Sequence, residues 1–142
     1  MRRGGSKQKG SQFEREVCKK LSLWITNGKR EDALWRSAMS GGRATIAKRK
    51  GIDVRQTGDV CAVSPEGHKL TDYFFIECKH YKNLAIDSFF ITQEGILQKF
   101  WEECRNKACN HDLNPMLIAK QNNKPAIVLT YIHHLDGPFK AT

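Results

Sequence analysis

The spacing of hydrophobic residues predicts a helix near the start of the chain. Four apolar side chains recur at intervals of four, four and three residues and form one helical face: Phe13, Val17, Leu21 and Trp24. We expect this helix to run from about Ser11 to Asn27, with Gly28 as its C-terminal stop. Ser11 and Glu14 also fit a capping box. The preceding residues 1–10 are basic and contain three glycines, and we expect them to form a flexible arm.

Further along the chain, short apolar runs bounded by polar residues predict five strands. The predicted strands cover residues 33–36, 59–63, 73–80, 114–121 and 124–132. Residues 64–72 are expected to form a turn, so that the second and third strands pair as an antiparallel hairpin. A second amphipathic helix is expected over residues 92–111, with Thr92 as its cap. The order helix, three strands, helix, two strands indicates an α/β (α+β) fold, with a mixed sheet covered by helices, in one domain over residues 11–142.

The positive charge is concentrated in the first part of the chain. Residues 1–56 hold 15 Lys and Arg against 5 Asp and Glu, whereas residues 57–142 hold 9 against 10. A surface of this kind favours a polyanionic partner, of which nucleic acid is the commonest, although solubility alone remains an alternative. Residues 39–58 form a long, basic, glycine-containing loop in this interpretation, and loops of this length are usually functional or disordered.

Length, hydropathy and cysteine content limit the class of protein. The 142 residues suffice for one domain, and no run approaches the length of a transmembrane helix. The basic N-terminus lacks the apolar core of a signal peptide, so we expect a cytoplasmic protein that does not bind membranes. The five cysteines suit reduced thiols better than disulfides. Cys104, Cys109 and His111 have a spacing that zinc can use, but core thiols with a surface histidine are favoured because a fourth ligand is lacking.

The run YFFIECKHY, residues 73–81, places an acid and a base at the end of an otherwise apolar strand. Side chains alternate between the faces of a strand, so Glu77 and Lys79 share a face with Phe75. Charged groups on such a face need a partner or a function. One interpretation is an ordinary ion pair at an edge or at a strand end that is already in water.

A second interpretation involves Asp59, which begins the strand expected to pair with this one. The hairpin would bring Asp59 close to Glu77 and Lys79. Two converging carboxylates repel each other, and oxygen-only ligands favour a hard cation such as Mg²⁺, with Mn²⁺ as a substitute. Such an ion activates water for phosphodiester hydrolysis, and Lys79 would orient the water or neutralise charge on the phosphorane.

These residues resemble the signature of the PD-(D/E)xK nuclease superfamily. Asp59 and the E-C-K at residues 77–79 stand in the family's order, with Gly58 where proline is frequent. Two further segments resemble archaeal-type Holliday junction resolvases in particular. KGSQFEREV, residues 9–17, is similar to their G-x-x-x-E-R-E helix, and LWRSAMSGG, residues 34–42, is similar to their R-S-A-G-S segment.

The resemblance implies a restriction-endonuclease-like core in a phage, other viral or prokaryotic nuclease, and it assigns roles to individual residues. The implied metal ligands are Glu14, Asp59, Glu77 and the backbone carbonyl of Cys78, and Lys79 becomes the catalytic lysine. Candidates for contact with DNA are Arg15, Arg36, Ser37 and Ser40, the insertion residues Arg43, Lys48, Arg49 and Lys50, and Lys82 after the catalytic strand.

The same resemblance implies a homodimer that cuts four-way DNA junctions, because resolution requires two symmetric cuts. One departure is the stretch of residues 41–58, which separates the serine segment from the acidic strand and is much shorter in compact members of the family. Two alternatives therefore stay open. One is a nuclease with the same site that acts on other DNA, by mismatch nicking or as a restriction enzyme, and the other is a non-catalytic DNA-binding module.

Overall fold

The computed structural model describes residues 5–37 and 58–131, with side chains from residue 9 onward. Most of the expected basic loop lies outside these residues. The same holds for five of the expected DNA contacts: Ser40, Arg43, Lys48, Arg49 and Lys50.

Helix α1 spans Gly5–Ile25 and therefore begins well before Ser11, so the capping-box interpretation is wrong. The hydroxyl of Ser11 instead accepts a hydrogen bond from Arg36 at 3.1 Å. Lys and Gln are good helix formers and extend the helix through residues 5–10, which were expected to belong to an arm. The expected stop is confirmed, because Gly28 has a φ of 82° and its N–H bonds back to the carbonyl of Leu23 at 2.7 Å.

Within residues 5–37 and 58–131, five strands form two sheets rather than one. Strand β1 (Leu34–Arg36) pairs antiparallel with β2 (Val60–Ala62). Strand β3 (Phe74–Tyr81) pairs parallel with β4 (Asn114–Gln121), which pairs antiparallel with β5 (Ile127–Thr130). The predicted hairpin between the second and third strands is therefore wrong. The α+β class with a mixed sheet is confirmed, and it corresponds to a restriction-endonuclease-like fold.

Helix α2 (Pro65–Thr71) replaces the turn expected between the second and third strands. Proline at the first helical position is pre-organised for a helix and lacks the N–H that would have no partner there. Gly67 allows this helix to approach β1, since a Cβ at this position would collide with the carbonyl of Ala33. A helix here carries the chain across to β3, which is why β2 and β3 do not form a hairpin.

Helices α3 (Ile86–Thr92) and α4 (Ile96–Asn110) connect β3 to β4. Parallel strands require such a crossover, and α4 provides it. The expected cap at Thr92 is wrong: this residue ends α3, and its hydroxyl donates to the carbonyl of Ser88 at 2.9 Å. Gly95, with a φ of 107°, precedes α4 instead. No helix within the described residues is long and apolar enough to cross a bilayer.

Strand β3 is packed on both faces. Phe74, Ile76 and Cys78 contact an apolar cluster that includes Phe13 and Val17 of α1. The alternate face, beginning with Phe75, contacts a second cluster in which α4 contributes three buried side chains: Leu97, Cys104 and Ala108. The packing on both faces of β3 thus fixes where its charged residues lie.

Candidate active site

Glu77 lies on the face of β3 that packs against α4, and it is only 8% exposed. Its Oε1 is 3.4 Å from Nζ of Lys107, a residue of α4. Lys79, one pleat further on, places its ammonium 4.8 Å from the centre of the Phe100 ring. The acid and the base on this strand therefore do not pair with each other, since each contacts a different residue of α4.

Asp59 occupies the edge of β3 opposite β4. Its backbone N–H donates to the carbonyl of Ile76 at 2.8 Å, and its Oδ2 accepts from the N–H of Cys78 at 2.8 Å. Although β2 and β3 form no ladder, these two bonds bring Asp59 beside the strand, as the sequence predicted. The N–H and C=O of one strand residue point to the same edge, so the carbonyl of Cys78 also points towards Asp59.

Gly58 permits this close approach. Its φ is 77°, and a Cβ at this position would collide with the carbonyl oxygen of Ile76. Proline, which fixes φ near −65°, cannot adopt this conformation. The glycine where the superfamily often has proline is therefore a geometric requirement of this chain.

Burial raises the pKa of both carboxyl groups at the site. For Asp59, which is 6% exposed, the hydrogen bond from Cys78 opposes burial, and the negative charge of Glu14 adds to it. For Glu77, the charge of Asp59 raises the pKa further, while Lys107 lowers it. The pKa of each carboxyl group is thus raised further by a neighbouring carboxylate, as expected where several acidic side chains lie close together.

Glu14 reaches the site from α1 and bonds to Arg36 of β1. The distance from Glu14 Oε2 to Arg36 Nε is 3.1 Å, and the guanidinium also contacts Ser11. Ser37 follows Arg36 and donates its N–H to the carbonyl of Asp59 at 2.9 Å. Its side chain is 3% exposed, and its Oγ finds no hydrogen-bond partner among the described residues. A buried hydroxyl without a partner beside an acidic site suits contact with a ligand.

The remaining candidates are distributed more widely. Arg15 and Lys82 are exposed, on α1 and directly after β3. Cys104 is buried on the core side of α4, whereas Cys109 is exposed. The ring of His111 stacks on that of Phe75, with ring centres 5.5 Å apart. Across residues 5–37 and 58–131, no three Cys, His, Asp or Glu side chains form a group that could hold a metal ion as they stand. Cys104, Cys109 and His111 therefore do not form a zinc site in this structure.

The donor set at Asp59 and Glu77 nevertheless fits a hard divalent cation. Two buried carboxylates lie beside a strand whose Cys78 carbonyl points to the same edge, which gives an all-oxygen set. Oδ2 of Asp59 accepts from the Cys78 N–H, and a side-chain hydrogen bond with Glu77 also acts to lower the pKa of Asp59, so the two carboxyl groups lie close together. Glu77 and Glu14 would have to exchange Lys107 and Arg36 for the cation.

Sequence reasoning missed Lys107 and Phe100. Both belong to the predicted second helix, and a helical pattern could have indicated their orientation. Phe100 belongs to the apolar stripe that includes Cys104, and Lys107 follows Cys104 by three residues on the same side. A lysine in register with an apolar stripe was the available signal, but only the packing of α4 on β3 shows that it meets Glu77.

A comparison with protein families gives a match over most of the chain. The family described as "Phage putative PDDEXK endonuclease" matches residues 5–137. Comparisons with curated proteins and with solved structures gave no match. The match spans α1, both sheets and α4, and so includes every element that contributes to the site. The chain belongs to this phage family of the PD-(D/E)xK nuclease superfamily.

Proposed function

We propose that the protein is a metal-dependent endodeoxyribonuclease that hydrolyses phosphodiester bonds in branched DNA, with four-way junctions as its substrate. Membership of the endonuclease family supports a nuclease that acts on DNA. The observation that carries the proposal for the site is the convergence of Asp59 and Glu77, both buried, at β3 next to Lys79. A non-catalytic DNA-binding module has no use for carboxylates of this kind. A DNA substrate also agrees with the expected cytoplasmic location.

Asp59, Glu77 and the carbonyl of Cys78 would hold Mg²⁺ or Mn²⁺, with Glu14 linked to the cation from α1. Oxygen-only ligands and two negative charges match the preference of these ions. When bound, the cation supplies Lewis-acid polarisation of the phosphodiester and a lower pKa for water.

The chain's own side chains would orient and neutralise the reacting groups. Lys79 is held over Phe100 on the same face of β3 as Glu77, from where its ammonium can orient the attacking water or stabilise charge on the phosphorane. Arg36 lies on the Glu14 side of the site, where its guanidinium can contact a phosphate oxygen in a forked geometry. In the reaction the water oxygen bonds to phosphorus and one phosphorus–oxygen bond breaks, leaving one phosphate end and one hydroxyl end.

Two symmetric cuts on a junction require two sites, and a homodimer would provide them. Helix α3 offers an apolar surface for such an assembly, since Phe90 is 66% and Ile91 is 80% exposed. We expect Ile91→Ser to shift a dimer towards monomer in sedimentation velocity. Val63→Ser, which changes an exposed apolar residue beyond β2, is the matched control and should leave the mass unchanged. A wild-type protein that sediments as a monomer at micromolar concentration would remove the dimer from the proposal.

The function is tested with a labelled four-way junction and a linear duplex of the same sequence, each with Mg²⁺ or with EDTA. Paired symmetric cuts in the junction alone, absent with EDTA and with Asp59→Asn, are the expected result. If the duplex is cut as well as the junction, the proposed active site stands but junction selectivity is rejected. Binding without cutting in either metal would reject the nuclease and favour the DNA-binding alternative.

A further inference from the structure

A groove of about 400 Å³ opens at the C-terminal end of β3, beside the candidate active site. One wall comes from the beginning of α1, with Lys9 and Gly10, and the other comes from residues 78–82. The ring of Phe13 on α1 contacts that of His80 on β3, with centres 5.3 Å apart, and this contact holds the two walls together. The groove is therefore formed by elements that are fixed to the core.

The charged side chains that line the groove carry the same sign. Lys9 lies on one wall and Lys82 on the other, whereas the ammonium of Lys79 lies on the opposite face of β3, over Phe100. Lys120 of β4 is close enough to contribute to the positive electrostatic potential of the groove. Lys120 is the register partner of His80 in the parallel pair of β3 and β4. A concave surface lined by several ammonium groups attracts an anion.

Two further features suit an extended ligand rather than a water-filled surface depression. Gly10 presents bare backbone, and a Cβ at this position would meet nothing within 4 Å, so the wall is open on this side. Nδ1 of His80 is buried and has no hydrogen-bond partner among the described residues. A buried polar atom of this kind costs stability unless something else satisfies it.

We propose that this groove binds a backbone phosphate of the DNA strand that is cut, on one side of the cleavage position. The inference rests on the proposed nuclease function and adds a subsite to it. Strand β3 rises roughly 3.3 Å per residue, so Lys82 lies about 16 Å beyond Glu77. Each strand of a duplex advances 3.4 Å per nucleotide, and the bound phosphate therefore lies within about five nucleotides of the cut. Strand β3 carries both Glu77 and residues that line the groove, and this links the subsite to the scissile bond.

The test measures DNA affinity in EDTA, where binding can be separated from cutting. Lys9→Gln and Lys82→Gln are expected to weaken binding by roughly 3- to 10-fold each and to lower the salt dependence, d log K/d log [salt], by about one unit. Lys29→Gln removes the same charge beyond the other end of α1 and should leave both quantities unchanged. Gly10→Phe should obstruct the groove without a change of charge, with Gly10→Ala as its control. Thermal melting confirms that each variant is folded.

A series of substrates with one neutral methylphosphonate each locates the subsite. Wild type should lose affinity at one position within about five nucleotides of the cut, and Lys9→Gln should lose that sensitivity. If wild type binds and cuts DNA but Lys9→Gln and Gly10→Phe behave as their controls, the groove proposal is wrong while the nuclease stands. If wild type neither binds nor cuts DNA, both proposals fail. If inorganic phosphate binds at the groove but no methylphosphonate position changes the affinity for DNA, the groove is an anion site unrelated to the substrate. This result would also overturn the proposal.

Discussion

The backbone N–H of Cys78 donates a hydrogen bond to Oδ2 of Asp59 at 2.8 Å, and Asp59 returns its own N–H to the carbonyl of Ile76 at 2.8 Å. A single aspartate thus satisfies one donor and one acceptor at the open edge of β3 and is fixed beside the strand that carries Glu77. The same two bonds that complete the strand edge also position the acid, so structure and candidate chemistry depend on one residue.

Asp59→Asn should separate activity from stability. Asparagine retains an oxygen that can accept from Cys78, but it removes the negative charge, and we expect cleavage to fall about 100-fold or more. Because burial raises the pKa of Asp59, its ionised form is disfavoured in the folded protein, and the variant should melt at a higher temperature than wild type at pH 7 in EDTA. Calorimetry and a cleavage assay on the same preparation check both. An equally active variant would exclude Asp59 from the chemistry.

The raised pKa values of Asp59 and Glu77 also predict how stability depends on pH. Their folded values lie above the ordinary values of 3.8 and 4.5, so the folded state binds protons more tightly. The resulting contribution to the free energy of unfolding is complete at pH values below the ordinary pKa values. It is lost as pH rises through the pKa values of the folded state. Without metal, the melting temperature of wild type should therefore rise, relative to an Asp59→Asn and Glu77→Gln double variant, as pH falls from 7. Mg²⁺ at pH 7 should raise it too.

Gly58→Ala should be more damaging than the same change at Gly28. Both glycines have positive φ values, 77° and 82°, which cost alanine about 1–2 kcal/mol. A Cβ at Gly58 also collides with the carbonyl of Ile76, whereas at Gly28 it meets nothing within 4 Å. We expect the free energy of unfolding to fall further in Gly58→Ala, with a loss of cleavage that Gly28→Ala does not share. If urea denaturation shows equal losses of unfolding free energy in the two variants, the contact of Asp59 with β3 tolerates a shift of the backbone.

Lys107→Gln should change the metal requirement. The ammonium lies 3.4 Å from Glu77 Oε1, where it competes with a cation for that oxygen. Its removal should lower the Mg²⁺ concentration for half-maximal cleavage by roughly 2- to 10-fold, since an exposed pair of this kind is worth about 0.2–1 kcal/mol or slightly more when half-buried. Lys99→Gln, on an exposed part of the same helix, provides the control. A higher Mg²⁺ requirement in Lys107→Gln would mean that the lysine instead keeps Glu77 in place.

Phe100→Leu should weaken catalysis more than substrate binding. The ring lies 4.8 Å from Nζ of Lys79, and such a contact is worth about 0.5–1 kcal/mol, or a roughly 2- to 5-fold change. We expect kcat to fall by this factor with little change in KM, and Phe100→Tyr, which retains a ring, to recover most of the rate. A loss confined to KM would place Lys79 in substrate binding rather than in the reacting geometry.

The cysteines should differ in reactivity. Burial raises the pKa of Cys18 and Cys104 to about 12 and that of Cys78 well above 9.0. Cys109 is exposed and Cys61 is partly exposed. Titration with a thiol reagent at neutral pH should modify Cys109 first and Cys61 more slowly, with the other three reacting only in denaturant. Rapid modification of all five in the native protein would contradict the packing on both faces of β3.

The sequence alone determined the elements whose patterns are local. The apolar face of α1, the strand from Phe74 to Tyr81 and the strand from Asn114 to Gln121 follow from side-chain spacing, and spacing is decided by neighbouring residues. The order of Asp59, Glu77 and Lys79 and their resemblance to a nuclease signature also needed no coordinates, and the family match bears the resemblance out.

Only the tertiary structure decided how these elements meet. Pairing of β3 with β4 rather than with β2 depends on a helix at Pro65–Thr71 and on a crossover through α4, both of which involve contacts between distant residues. The partner of Glu77 is Lys107 rather than Lys79, because α4 packs on that face of β3 and places the two charges together. Helical and strand periods specify which side chains share a face, but not which other face they will contact, since that is settled by packing of the whole core.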